Sequence, residues 1–169
     1  DVTVDIPGLA EPATARIVSI PELGWPTLNL LHLQSGRYLS SGRDDEVLVS
    51  AAFAEANGLQ PGGHFSAILN GRWKRLHIVG IAISPEYVYE AGAGSIFPDN
   101  RHYGVVWMGT NAVSAAFRMD GAFNDLVLSL DGSVPAQHVI AQVDQALLPY
   151  GGLGAIGRDN QISNRFITD

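Results

Sequence analysis

The sequence predicts an α+β fold in which strands outnumber helices. A strong hairpin signal lies mid-chain, where the alternating run HFSAIL is followed by Asn70-Gly71 and the returning run RWKRLHIVGIAI. Asn-Gly supplies positive φ at both central positions of a type I′ turn. The C-terminal third reads strand, amphipathic helix, strand, and two short helices are expected elsewhere. This mixture of hairpins and helices is typical of the α+β class.

Turn residues and apolar periodicity define the elements before the central hairpin. Residues 2–6 and 15–20 read as two strands of an N-terminal hairpin with a long loop. Residues 28–33 fit either a strand or one short helical turn, and the pattern does not decide between them. Residues 46–49 read as a strand followed by a short helix over 51–57.

The second half of the chain carries the clearest helix. Residues 103–108 predict a strand, and a helix is expected from Thr110 or Asn111 to about Met119. Residues 123–130 are apolar enough for a strand buried on both faces. Apolar residues at helical spacing predict a helix over 136–147. Residues 153–157 are a candidate final strand.

Composition limits the classes of function. The 169 residues suit one ordinary domain, and 17 acidic against 10 basic residues give a net charge of -7 without a basic run. This balance argues against a nucleic-acid partner. The absence of cysteine excludes a thiolate zinc site and a cysteine nucleophile. Because the chain begins at Asp1 without a leader-like segment, we expect it to be a piece of a longer protein.

Two motifs suggest ligands, and both have a simpler structural interpretation. Residues 152–157, GLGAIG, match a dinucleotide-binding pattern, but they follow a helix instead of opening one. We therefore interpret them as a glycine-rich helix stop and predict no cofactor. Hairpin register places His64 opposite His77, yet no third ligand lies beside them. We predict no metal site.

Charged clusters are expected to be solvated. Asp44, Asp45 and Glu46 lack the spacing of a calcium loop and predict an acidic turn before a strand. Arg72, Lys74 and Arg75 crowd one hairpin strand, where such residues more often keep an edge soluble than bind an anion. No GxSxG, HExxH or phosphate-loop motif occurs, and we predict no catalytic residue.

Aromatic residues are concentrated in residues 80–108. Pro85 should end the long hairpin strand because proline cannot donate to a sheet. Tyr87, Tyr89 and Phe97 follow it, and tyrosines bury a ring while keeping the hydroxyl wet. The stretch is either a loop packed by its own aromatics or a surface facing a ligand or partner, and both interpretations stay open.

Several segments together resemble the extracytoplasmic domain of an FtsX-like, MacB-like ABC transporter permease. They are DEVLVSAAFAEANGLQPG, HIVGIAISPEYVY, FPDNRHYGVVWM, GAFNDLVLSL and LLPYGGLGAIGRDNQIS. The likeness extends over most of the chain from about Gly36. It implies two lobes: a βαβ porter-like lobe of residues 1–24 and 121–169, with the opening strand and helix of its first half missing, and a smaller hairpin-rich lobe of residues 25–120.

The resemblance also implies a function without catalysis or cofactor. Such a domain lies outside the bacterial cell membrane, on the periplasmic or outer side. It couples membrane-helix motion, driven by a cytoplasmic ABC ATPase, to export or to work on a lipid, lipoprotein, peptide or cell-wall hydrolase. The domain would act as a lever with hinge residues near Pro85, Gly92 and Gly94.

Two other classes of protein remain as alternatives. A secreted ligand-binding module would have an apolar cavity lined by Tyr87, Tyr89, Phe97 and Trp107. A hydrolase would bring a histidine within hydrogen-bond reach of a nucleophile and a carboxylate. Sequence pattern favours packing in the core for Trp107.

Overall fold

The computed structural model describes residues 1–88 and 98–160. It confirms the α+β class, with seven strands and three α-helices in the described part. The chain divides into two compact units, Asp1–Asp125 and Leu126–Asp169. Every strand of the described residues belongs to the first unit.

The strands follow the sequence pattern closely in the first unit. Their bounds are β1 Val2–Asp5, β2 Ala13–Ile20, β3 His32–Gly36, β4 Glu46–Ser50, β5 His64–Leu69, β6 Arg72–Ile83 and β7 Tyr103–Gly109. The N-terminal hairpin and the strand at 103–108 are therefore confirmed. The segment that the pattern left open forms a strand, which begins only at His32.

Three α-helices accompany the strands. They are α1 Ala51–Asn57, α2 Thr110–Phe117 and α3 Ala136–Leu147, and short 3-10 turns span Leu148–Tyr150 and Arg158–Asn160. α1 ends at Gly58, whose φ of 62° provides the left-handed residue that the sequence predicted. Within the described ranges, no helix combines the length and apolarity needed to span a bilayer.

Six of the strands close into a barrel. Around the barrel the order is β6, β4, β7, β2, β1, β5 and back to β6, while β3 pairs with the outer edge of β6. β2 and β7 run parallel, as do β4 and β6, and the other pairs are antiparallel. The 12-residue β6 permits closure because its first half pairs with β5 and its second half with β4 and β3.

The core lies on both faces of the central strands. All residues of β4 and β7 are buried, and alternate side chains join two apolar clusters. Val106 and Met108 belong to the larger cluster, whereas Val105 and Trp107 belong to the other. Strands buried on both faces cannot move without disturbing two packed layers. The barrel therefore has a rigid centre.

The predicted division into a βαβ porter-like lobe and an inserted lobe was wrong as an arrangement of strands. β1 and β2, expected in the porter-like lobe, share the closed barrel with strands expected in the insert. The reason is the parallel pairing of β2 with β7, which extends from Thr14–Tyr103 to Ile20–Gly109. This contact joins segments far apart in sequence and leaves no local signal.

The unit that begins at Leu126 has a helix but no described strand. α3 confirms the predicted helix over 136–147, although none of its residues is buried. The predicted strands at 123–130 and 153–157 were wrong, since neither segment pairs with another strand in the described part. Leu126, Leu128 and Leu130 are exposed. Apolar composition alone does not make a strand without a neighbour.

Candidate functional site

The turn after β6 carries the aromatic residue that sequence analysis proposed as partner-facing. Tyr87 is half-buried, and its ring packs edge-on against Trp107 with centroids 6.3 Å apart. Burial, followed by the nearby Glu86 charge, raises the pKa of Tyr87 to about 12. Trp107 itself is 2% exposed and belongs to the core, as the sequence favoured. The Tyr87 ring is thus anchored on the barrel.

The same turn holds a partly buried carboxylate. The Asn29 side-chain amide donates a 2.8 Å hydrogen bond to Glu86, and the Glu86 backbone N–H donates to the Ser84 hydroxyl at 3.2 Å. Burial is the main reason that the pKa of Glu86 is raised, and the Asp125 charge adds to it. Pro85 lies in this turn, as predicted. Tyr89, Phe97, Gly92 and Gly94 lie outside the described residues.

The two hairpin histidines face each other in the predicted register. His64 pairs with His77, and their ring centroids are 6.3 Å apart. The Arg75 guanidinium contacts Nε2 of His64, and Asp45 Oδ2 lies 3.7 Å from His77 Nε2. The positive charge of the Arg75 guanidinium beside His64 disfavours the binding of a metal cation at this histidine pair. Across the described ranges, no group of three or more His, Asp or Glu side chains is arranged to hold a metal.

An ion pair between the exposed Arg37 and the buried Glu46 joins the loop after β3 to the start of β4. Arg37 donates to both carboxylate oxygens of Glu46, at 2.6 and 2.9 Å, and the Ser40 backbone N–H donates a third bond of 2.9 Å. These partners, with Arg37 first, lower the pKa of Glu46 to about 2. The Glu46 side chain is only 7% exposed. The bidentate geometry fixes the loop on the barrel.

The sequence pattern predicted a solvated acidic turn at Asp44, Asp45 and Glu46, and this prediction was wrong for Glu46, whose side chain is buried. Asp44 is solvated and pairs with Lys74 at 2.6 Å, whereas Asp45 is held by Arg43 through two 3.0 Å bonds. Glu46 was missed because its partner Arg37 lies across an irregular loop. The only available signal was its position at the first residue of an apolar strand.

The described residues form open depressions, two of which include charged side chains. One of about 390 Å³ lies over the ion pairs and is lined by Arg37, Arg43, Glu46, Gly62, His77, Ile78 and Val79. The other, of about 360 Å³, is lined within the second unit by Ser129, Leu130, Asp131, Ser133, Val134 and Val139. Neither includes Tyr87 or Trp107. Among the charged groups of the first, Arg37 pairs with Glu46, whereas Arg43 and His77 lie against Asp45, and these contacts support the loop structure.

The remaining candidate groups have local partners. Residues 152–157 follow α3 and lead into a 3-10 turn, and Ala155 N–H donates to Asp144 at 2.6 Å. His102 bonds with Asp99 at 3.0 Å, and His138 with Gln142 at 3.2 Å. No protein-family model matches the chain, and no curated protein sequence matches it significantly.

Proposed function

We propose that the chain is a non-catalytic extracytoplasmic domain of an FtsX-like, MacB-like ABC transporter permease. It lies outside a bacterial cell membrane and passes force from membrane helices to an outer partner or substrate. A cytoplasmic ABC ATPase supplies the energy. The substrates implied by the resemblance are lipids, lipoproteins or peptides. The partner that it implies is a cell-wall hydrolase, which the domain would control.

The observation that carries this proposal is the position of the segments that resemble the family. The first begins with β4 and α1, the second covers the end of β6 and the following turn, and the third ends in β7. These strands are neighbours, because β4 pairs with both β6 and β7. Three of the five resembling segments therefore include strands of the rigid centre of the barrel, where force would pass with little deformation.

A lever also needs places where it bends. Pro85 lies in the turn where β6 ends, and Gly92 and Gly94 follow it in the sequence. Glycine permits backbone conformations that other residues adopt only with strain. Hinges are commonly a few loop residues that absorb large changes in φ and ψ. We assign the hinge to this segment, with Tyr87 anchoring one end.

The proposal is tested in the complete permease, expressed with its ATPase in membrane vesicles. Replacing Gly92 and Gly94 together by proline should strongly reduce ATP-driven transport while leaving expression and basal ATP hydrolysis intact. The matched control replaces both by alanine, which restricts the backbone less. Unchanged transport in the proline variant would contradict the assignment of the hinge to this segment. A parent gene encoding no bilayer-crossing helix would overturn the permease assignment itself.

A further inference from the structure

The outer side of the β5–β6 hairpin presents a continuous row of polar and aromatic side chains. Side chains alternate across a strand, so the sequence neighbours of the buried residues Phe65, Leu76 and Ile78 point outward. Three cross-strand pairs form what we call the hairpin face: His64–His77, Ser66–Arg75 and Ile68–Trp73.

The hairpin face has an exposed aromatic end. Trp73 is 64% exposed, beside the partly exposed Ile68. Tryptophan is amphipathic, and an exposed indole next to polar groups is characteristic of binding surfaces. A flat apolar ring standing free on a rigid strand costs little conformational entropy when a ligand packs on it.

The centre of the hairpin face is cationic on a chain whose net charge is -7. Arg75 has no carboxylate partner in the described part of the chain, and the hydrogen bond found for its guanidinium there is to His64. Asp5 of β1 pairs with Ser66 at the edge of the face, and Asp45 near His77 is held by Arg43. Arg75 is therefore free to take an external anion, and its planar fork fits a carboxylate.

The centre of the hairpin face offers no free strand edge between Ser66 and Arg75, because these residues pair with each other. At Ser66 and Ala67, β5 is paired with β1 on one side and with β6 on the other, so the backbone groups of these two central residues are already used. A peptide that binds by strand addition needs a free edge. A ligand that contacts Ser66 and Arg75 together therefore lies across the side chains of two strands, which favours a flat ring bearing a carboxylate and hydroxyl groups over an extended acidic peptide.

We propose that the hairpin face binds an anionic saccharide. The apolar side of one pyranose ring packs on Trp73, a ring carboxylate pairs with Arg75, and the imidazoles and Ser66 bond to hydroxyl groups. Trp73 and His77 are four residues apart on one strand, a span of about 13 Å. This length suits an oligosaccharide of about two or three rings.

Isothermal titration of the 169-residue chain with trigalacturonic acid tests the proposal, with maltotriose as the neutral control. We expect saturable binding of the acidic trisaccharide and at least about tenfold weaker binding of the neutral one. Trp73→Ala and Arg75→Gln should each weaken binding about tenfold or more, a loss of about 1.4 kcal/mol. Arg72→Gln is the matched control, since Arg72 lies on the same strand but alternates to the other side, and it should change affinity less than about twofold.

Circular dichroism of each variant shows whether it is folded, which is expected because both positions are exposed. Three results would overturn the proposal: no saturable binding of the acidic trisaccharide, equal binding of maltotriose, or an equal loss in Arg72→Gln. Tighter binding of a hexaglutamate peptide would assign the face to acidic peptides instead. The proposal does not rest on the transporter assignment, because this titration needs neither membrane nor ATPase.

Discussion

Glu46 shows at the scale of one residue how a charge is kept inside this fold. Its two oxygens accept three hydrogen bonds, two from Arg37 and one from the Ser40 backbone. A buried carboxylate is tolerated only when it is paired and hydrogen-bonded. Removal of one partner would leave an uncompensated charge, which is worse than replacing the carboxylate itself.

The first prediction concerns acid stability. The folded-state pKa of Glu46 is lowered from 4.5 to about 2, so its stabilisation is complete above pH 5 and is lost as pH falls toward 2. After allowance for the solvent-exposed Arg37, the contribution is about 2 kcal/mol. Denaturant unfolding at pH 7 and pH 2.5 should show that Glu46→Gln loses less stability between these values than the parent. Glu11→Gln, at an exposed residue, serves as the control, and an equal acid loss in Glu46→Gln and the parent would contradict the prediction.

Glu86 should show the opposite pH dependence. Burial raises its folded-state pKa above the ordinary 4.5, so folding favours the neutral acid and stability falls as pH rises through the folded value. Glu86→Gln keeps an acceptor for Asn29 and removes the charge. We expect the variant to gain up to about 1 kcal/mol in unfolding free energy at pH 7 and nothing at pH 3. A loss of stability at pH 7 would show that the charge of Glu86 is needed.

At the scale of elements, the sequence predicted correctly those strands and helices whose stabilising contacts join residues close in sequence. The Asn70-Gly71 turn gave the β5–β6 register correctly, with φ of 48° and 76° at the two residues. It thereby placed His64 opposite His77. The run at 123–130 shows the limit, because a strand needs a partner, and pairing energy depends on residues distant in sequence.

Gly80 is the point where β6 is flanked by β3 and β4 together. A Cβ there would lie 2.6 Å from the Arg37 carbonyl oxygen and 2.9 Å from the Leu48 side chain. The backbone of Arg37 is held in place because its N–H donates to the Val79 carbonyl at 2.9 Å, so overpacking should be costly. Gly80→Ala should lower the unfolding free energy by about 2 kcal/mol or more in chemical denaturation. Gly157→Ala, where the nearest atom is 3.8 Å away, should be near neutral, and similar losses in both variants would argue against this packing constraint.

At the scale of the whole molecule, barrel closure is the feature that the sequence could not reveal. It depends on β2 meeting β7 and on β1 meeting β5, contacts between segments separated by other elements. Local periodicity carries no information on which distant strands pair. The same limit hid the Arg37–Glu46 pair, whereas the end of β6 was predicted because Pro85 cannot donate to a sheet.

The last prediction follows from the distribution of burial. Every core residue of the described chain lies within the first unit, Asp1–Asp125, and no residue of α3 is buried. A unit that contains its own closed sheet and core has what is needed to fold alone. A chain ending at Asp125 should therefore keep its unfolding free energy within about 1 kcal/mol of the 169-residue chain.

Denaturant titration followed by tryptophan fluorescence measures this, because Trp107 is 2% exposed in the folded barrel and becomes solvated on unfolding. A control ending at Gly109, which removes α2 and its buried Ala112, should be clearly less stable. If the chain ending at Asp125 is unfolded, the barrel requires residues beyond it, and the two units are a single cooperative domain.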